Sequence, residues 1–494
     1  MLDNLIISIG LVASPEAMIA LVVGTVLGIV VGALPGLGSV VGITMILPFT
    51  TAMGQVPGVA LMLGVYCGSV FGGSISAILI NTPGTPASAA TCLDGFPMTQ
   101  RGEGDLALGW ATGASLFGGI FSIVVLMIAA PQLAALALRF GPIEYFALMV
   151  FALTCIASVS EGSMAKGLLM GMIGLFLGVV GPDPVTGDIR FDFGIFQLSG
   201  GIGLIPVVVG AFALSEVFYR AAQYSTGAHA LTSSIGFRFA PPREWLLRWK
   251  TFVKSAAIGS TVGVLPGTGA ATAAFISYSE IRRSSPRRQQ MGKGEPDGVI
   301  ASETANNAVT GGALVPTLAL GIPGDPVTAV MLGTLVYQGV TPGPRLFGEN
   351  ISLVYAIFIC LLLANVLMAV LVATVGGRLF SRILRIPEPL LLSMVTVLAL
   401  VGAYGVNNRM FDVMVALCAG VVAVLLRHAR YPIAPMVIGM VIGPLLEQRF
   451  RQGLIISDNN FLAFFTSPIA NIFFVLTLLF VLKATLWRSR RSPT

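Results

Sequence analysis

Long apolar runs punctuated by glycine and proline make up most of the chain. They fall at about 16–52, 58–97, 106–130, 142–160, 164–181 and 198–220, then at 251–280, 304–340, 352–377, 388–402, 411–426 and 431–447, with a last run at 462–483. About 20 apolar residues carry a helix across a bilayer, so this pattern predicts an all-α polytopic membrane protein of about 11–12 membrane segments. The second six runs repeat the first six in order and approximate length. This predicts a first repeat at 1–222, a basic linker with an interfacial helix at 223–250, a second repeat at 251–455, and a final helix and tail at 456–494.

A short motif carries the repeat. Gly32-Ala33-Leu34-Pro35-Gly36-Leu37-Gly38 returns as Gly263-Val264-Leu265-Pro266-Gly267-Thr268-Gly269, displaced by 231 residues (266 − 35). Both copies interrupt an apolar run. A helix breaker in hydrocarbon frees backbone N–H and C=O groups, tolerated only where protein, water or a ligand satisfies them. Paired broken helices in two halves of a membrane protein point to a transporter binding site. Other matches keep the same order. Phe71-Gly72-Gly73 precedes Pro83-Gly84-Thr85-Pro86, as Thr310-Gly311-Gly312 precedes Pro323-Gly324-Asp325-Pro326. Pro206 to Gly210 leads to Glu216, and Pro435 to Gly439 leads to Glu447.

Charge predicts how the repeats lie. Arg282, Arg283, Arg287, Arg288 and Lys293 follow the second motif, whereas the loop after the first, Thr50 to Pro57, is uncharged. Arg238, Arg243, Arg248, Lys250 and Lys254 lie before or just inside the second hairpin. Cytoplasmic loops collect Lys and Arg. The run 251–280 is therefore expected to be a re-entrant hairpin entering from the cytoplasm, and 16–52 its inverted counterpart. Trp245 and Trp249 suit an interfacial helix, and Lys483, Arg488, Arg490 and Arg491 put the tail in the cytoplasm.

Composition agrees with this reading. The chain has 494 residues, 55% of them hydrophobic and 10% charged, with mean hydropathy +0.90. Soluble proteins carry about 25% charged residues. The net charge of +6 fits the positive-inside pattern rather than nucleic-acid binding. Cys67, Cys92, Cys155, Cys360 and Cys418 lie scattered in apolar segments, and His229 and His428 are far apart, so no metal site is expected. Met1-Leu2-Asp3-Asn4 lacks a basic signal-peptide start, and the first segment is expected to remain at the interface.

Three sets of residues could carry chemistry. At the first motif, Pro35, Gly36, Gly38 and Ser39, and at the second, Pro266, Gly267, Thr268 and Gly269, precede half-helices with free N–H groups. Such N-termini attract anions. The second pair of breaks offers Asn81, Thr82, Thr85, Pro323 and Gly324 for a carboxylate, with Na⁺ an option near Pro83, Gly84, Pro323 and Gly324. Asp325 reads as a coupling-ion ligand or a helix N-cap, since intramembrane acids are functional by default. The third set is Ser302-Glu303-Thr304-Ala305-Asn306-Asn307, where Asn306 and Asn307 read as substrate ligands and Glu303 as a coupling-ion ligand. Glu144, Glu161, Glu216, Glu388, Asp412 and Glu447 read as interfacial. Gly102-Glu103-Gly104-Asp105 matches a GxGD protease string but lacks a companion Tyr-Asp, and no GxxxxGK[ST] loop for ATP occurs. Neither catalysis nor an organic cofactor is expected.

At these motifs the sequence resembles the large membrane subunit of the tripartite tricarboxylate transporter family. Besides the segments above, the resemblance rests on Asn81 to Gly84, Asp94-Gly95-Phe96-Pro97, Glu303 to Ala308, Gly321 to Gly324, Thr341-Pro342-Gly343-Pro344, and Pro435 to Gly439 with Gly443 and Glu447. It implies a bacterial inner-membrane carrier working with a small membrane subunit and a periplasmic solute-binding protein. Tri- and dicarboxylates and related organic acids would be its substrates, with Na⁺ or H⁺ as coupling ion. The expected site lies between the four broken segments. A gated ion channel on the same broken helices is the alternative.

Overall fold

The computed structural model describes residues 2–159, 163–183, 186–223, 236–383 and 387–489. Glu161, His229, Arg490 and Arg491 lie outside them, as do the side chains of Lys483 and Arg488.

The first half contains α1 (Leu2–Val12), α2 (Pro15–Ala33), α3 (Gly38–Thr51), α4 (Gln55–Ile80), α5 (Ala89–Gln100), α6 (Gly104–Ala137), α7 (Pro142–Val159) and α8 (Met164–Gly178). A two-residue antiparallel ladder, Gly181–Pro182 with Ile189–Arg190, follows. Then come α9 (Leu204–Val208) and α10 (Ser215–Gln223), joined by a π-helical turn at Val209–Leu214. The linker holds α11 (Pro242–Leu247). The second half contains α12 (Trp249–Val264), α13 (Gly269–Ser284), α14 (Pro296–Leu320), α15 (Pro326–Tyr337), α16 (Leu346–Glu349), α17 (Ile351–Ile383), α18 (Glu388–Asn407), α19 (Met410–His428), α20 (Ala434–Ile456) and α21 (Pro468–Ser489).

The fold is that of an all-α polytopic membrane protein. Seven helices among the described residues are long and apolar enough to span: α2, α4, α6, the α9–α10 rod, α17, α18 and α19. The other apolar runs yield shorter or more polar helices, because Pro-Gly segments divide them. The run 16–52 becomes α2 and α3, and 304–340 becomes α14 and α15.

Glycine seams set the packing. A β-carbon at Gly24, Gly28 or Gly32 on α2 would collide with the carbonyls of Leu61, Val65 and Ser69 on α4. Gly64, Gly68 and Gly72 face back onto Leu21, Thr25 and Ile29 in the same way. Small residues four apart let two backbones touch, and in a bilayer such van der Waals contact drives helix association. The second half repeats the seam: Gly259 meets Ala305, and Gly312 meets Ser260 and Gly263, between α12 and α14. In both seams residue numbers rise together, so each hairpin's first arm runs parallel to its long helix.

The long helices α4 and α14 themselves run antiparallel. Asn306 Nδ2 donates to the Val70 carbonyl, while Val59, Met62 and Leu63 meet Leu314, Thr317 and Leu318 about the same small void. The ends agree. Gln338, after α15, donates to the Thr50 carbonyl and accepts from Gln55, the first residue of α4. Arg101, after α5, donates to the carbonyls of Lys293 and Gly294, before α14. The two hairpins therefore enter from opposite ends of the α4–α14 pair.

Matching backbone conformations fix the register of the repeat. Leu34 (φ −80, ψ 121) and Leu265 (φ −81, ψ 117) both end their helices in extended backbone. Both long helices stop at a left-handed residue, Asn81 at φ 54 and Gly321 at φ 71. Gly72 and Gly312 approach Gly32 and Gly263 respectively, so the offset is 240 from there to the breaks (312 − 72, 321 − 81). This corrects the sequence pairing of Gly72 with Gly311. Adjacent glycines in both copies hid the register: Gly312 matches Gly72, and Ala313 stands where Gly73 stands.

One interfacial assignment also changes. Trp245 is half-buried against Trp110, 4.5 Å between ring centroids, in a notch that a β-carbon at Gly113 would fill. Only Trp249 remains exposed.

Candidate functional site

Each half builds a hairpin tip and a break. At the first tip, Gly36 (φ +74) and Gly38 (φ +70) adopt left-handed conformations available to glycine at little cost. Gly267 (φ +82) and Gly269 (φ +69) do the same at the second. The helices that follow, α3 and α13, start with no side-chain cap, and a β-carbon at Gly38 or Gly269 would meet open space. Uncapped N–H groups facing open space are what an anion requires. Ser39 is buried in the first turn of α3. Thr268 turns its hydroxyl back onto the Val262 and Leu265 carbonyls, so it is less available than its sequence position suggests.

The breaks are capped instead. After Asn81, Thr82 and Pro83, a β-carbon at Gly84 would strike the Gly32 carbonyl. Thr85 then caps the next turn by accepting from Ser88 N. Asp325 occupies the matching place after Pro323 and Gly324. Its Oδ1 accepts from Thr328 N at 2.7 Å and the Thr328 hydroxyl at 2.8 Å, a reciprocal capping box, and Oδ2 accepts from Tyr66 OH at 2.8 Å.

Glu303 is the contrasting acid. It is fully buried on α14, and its partners are the hydroxyls of Thr91 on α5 and Ser115 on α6. No Lys or Arg among the described residues pairs with it. Asn307 Nδ2 donates to Ser115 at 2.7 Å, and the Oδ1 atoms of Asn306 and Asn307 are buried without partners. A hydroxyl can donate or accept, so this carboxyl can be neutral, ionised or cation-bound without stranding a neighbour. Backbone N–H groups can only donate, which ties Asp325 to its acceptor role.

The four segments do not converge on one point. The first tip and break lie beside Gly73 on α4, and the second beside Ala313 on α14. Ala313 lies level with Leu63, ten residues from Gly73, which is about 15 Å at 1.5 Å per residue. The four broken segments thus form two separate pairs, each a tip with its own break. The second is closed by a hydrogen bond from Gly267 N to the Gly324 carbonyl at 2.7 Å.

Sequence reading missed the fastenings. Arg220 donates to the Pro35 carbonyl at the first tip and is paired with Glu216 at 2.7 Å. Glu216 and Asp412 are buried ion-paired groups rather than interfacial ones. Asp94, fully buried, accepts at 2.8 Å from the N–H groups of Gly292, Gly294 and Glu295 and from Tyr278 OH. It ties α5 to the loop before α14. In that loop, burial pushes the Glu295 carboxyl above its ordinary range, although Arg248 stands 3.2 Å away. The spacing Glu216/Arg220 and Glu447/Arg451 was the available signal.

Comparison with known proteins agrees with this architecture. No solved structure matches the chain. It is 37% identical over 470 residues to an uncharacterized 52.8 kDa protein in the TAR-I ttuC' 3'region of Agrobacterium vitis, covering 95% of this chain and 93% of that one. A second protein, in the TAR-II ttuC' 3'region of the same organism, is 36% identical over 236 residues, covering 47% of this chain and 97% of its own length. The model of the tripartite tricarboxylate transporter TctA family matches residues 18–438. Two hairpins, two breaks and their glycine seams fall within that span, and the chain belongs to the tripartite tricarboxylate transporter TctA family.

Proposed function

We propose that this protein is the membrane-embedded carrier subunit of a binding-protein-dependent secondary transporter that imports carboxylate anions by alternating access. The observation that carries the reading is the duplicated hairpin tip: two helix N-termini without a side-chain cap, each beginning at a glycine, Gly38 and Gly269, with no atom within 4 Å of where a β-carbon would stand. Pro35, Gly36, Gly38 and Ser39 with Asn81, Thr82 and Thr85, and Pro266 to Gly269 with Pro323, Gly324, Asn306 and Asn307, contribute to substrate binding. Helix N-termini neutralise a carboxylate without a salt bridge that would hinder release.

Coupling to Na⁺ or H⁺ runs through Glu303, whose hydroxyl partners tolerate either charge state. Asp325 shapes the second break instead. The basic residues around the Arg101 end support a cytoplasmic reading of that end, and the basic tail is read to the same side, in a bacterial inner membrane. A small membrane subunit and a periplasmic solute-binding protein complete the carrier.

Counterflow uptake into vesicles holding this chain with its small subunit, with solute-binding protein added and with and without Na⁺, tests the reading across a panel of organic acids. Saturable exchange of one or more di- or tricarboxylates is expected. Non-saturating flux independent of the binding protein would overturn the carrier reading in favour of a gated channel.

A further inference from the structure

We propose that Arg220 and Arg451 are alternating latches on the two hairpin tips, and that this structure holds one of the carrier's two end states. The inference rests on the carrier reading and goes beyond it to the residues that exchange.

The sequence places the two sets identically. Pro35, Glu216 and Arg220 correspond to Pro266, Glu447 and Arg451, each displaced by 231 (266 − 35, 447 − 216, 451 − 220). Each Glu–Arg pair is the heart of a four-residue ionic cluster. Around the first, Arg220 binds Glu216 at 2.7 Å and Glu388 at 3.1 Å, and Arg427 binds Glu216 at 2.5 Å. Around the second, Arg451 binds Glu447 and Asp183 at 2.8 Å each, and Arg190 binds Glu447 at 2.6 Å and Asp183 at 3.0 Å. Two arginines and two acids recur each time.

The clusters match, yet their contacts with the tips do not. Arg220 donates to the Pro35 carbonyl, while among the described residues no side chain donates to the Pro266 carbonyl. Conversely, Gly267 N–H bonds the Gly324 carbonyl, and among the described residues Gly36 makes no such bond to Gly84. So the first tip is held by its arginine and the second by its own break. Duplicated units in unlike contacts define two states related by exchange, since packed interfaces are bistable rather than continuously deformable. In the other state Arg451 takes the Pro266 carbonyl, Gly267 leaves Gly324, Gly36 docks on Gly84, and Arg220 releases Pro35. A guanidinium is suited to this, because charge-assisted hydrogen bonds are strong and its fork can keep its carboxylate while changing its other partner.

The test uses the full chain with its native cysteines replaced and Thr268→Cys as reporter, labelled with a membrane-impermeant maleimide. Arg220→Gln populates the undocked second tip and is expected to speed labelling about tenfold. Arg451→Gln deepens the docked state and slows labelling, and the double variant returns towards the parent rate. Arg220→Lys shifts the rate less than Arg220→Gln. Glu216→Gln and Glu447→Gln form a second opposed pair, which decides the matter if either arginine variant fails to fold. Shifts of the same sign, or none, in the folded pair overturn the proposal. Uptake is measured in parallel with the unmodified chain, which keeps Thr268: opposed labelling in the reporter variants with no uptake of any acid by the unmodified chain defeats the carrier reading alone, and uptake by it without opposed labelling defeats the latches alone.

Discussion

The two halves share a backbone and differ in charge. Tip for tip and break for break they match in backbone conformation and capping pattern, but the first tip meets Arg220, whereas Glu303 on the long helix and Asp325 at the break belong to the second half alone. The difference teaches that the two halves share their geometry while the charge placed on it is set separately in each. In the first half Thr85 caps where Asp325 caps in the second, so a neutral hydroxyl and a carboxylate do the same backbone work. The acid there needs no ion to explain it. Glu303 has no such structural duty, and that separates it from Asp325 more sharply than their shared burial unites them.

The largest effect is expected where the comparison is boldest. Glu303→Gln should lower ion-driven uptake about 100-fold, roughly 2.7 kcal/mol of lost stabilisation, with exchange of substrate less affected. Uptake in vesicles under an imposed Na⁺ or H⁺ gradient measures this, and an unchanged rate would return the coupling role to Asp325. Next, Pro35→Ala with Pro266→Ala should cost about tenfold in uptake while membrane insertion persists. Equal losses from the two single variants would mean the tips are equivalent despite their different neighbours. Asp325→Ala should destabilise the protein by about 1–2 kcal/mol through loss of its cap, whereas Asp325→Asn keeps most of it, as thermal unfolding in detergent would reveal. Smallest of all, Gly38→Ala meets open space but keeps an unfavourable positive φ, at about 1 kcal/mol, whereas Gly324→Ala has no such φ and must instead displace Ala313. Matching melting temperatures for the two would remove the distinction between an open tip and a packed break.

Much of the fold was legible because hydrocarbon leaves few options. Apolar runs gave the helices, and the start of α3 at Gly38 and of α13 at Gly269 followed from the Leu-Pro-Gly motif alone. The opposed entry of the hairpins followed from arginines near 282–288. What stayed hidden was long-range pairing. Nothing local in Thr91 or Ser115 marks them as partners of Glu303, more than 180 residues away. Nothing local to Arg220 points to the Pro35 carbonyl, 185 residues away. Trp245 carried the signature of an interfacial anchor, yet Gly113 and Trp110 offered it a pocket that composition could not disclose.

The loop that Asp94 grips bears on how such a protein could have arisen. The displacement between halves grows from 231 at the tips to 240 at the breaks, and most of the added residues lie in 285–295, between α13 and α14, where the first half needs only 52–54. Two perfectly equal halves in one chain would have no reason to prefer either face of the membrane. An insertion on one side only, fastened by a single carboxylate, makes the two ends of the molecule chemically unlike, so that its two faces can be told apart.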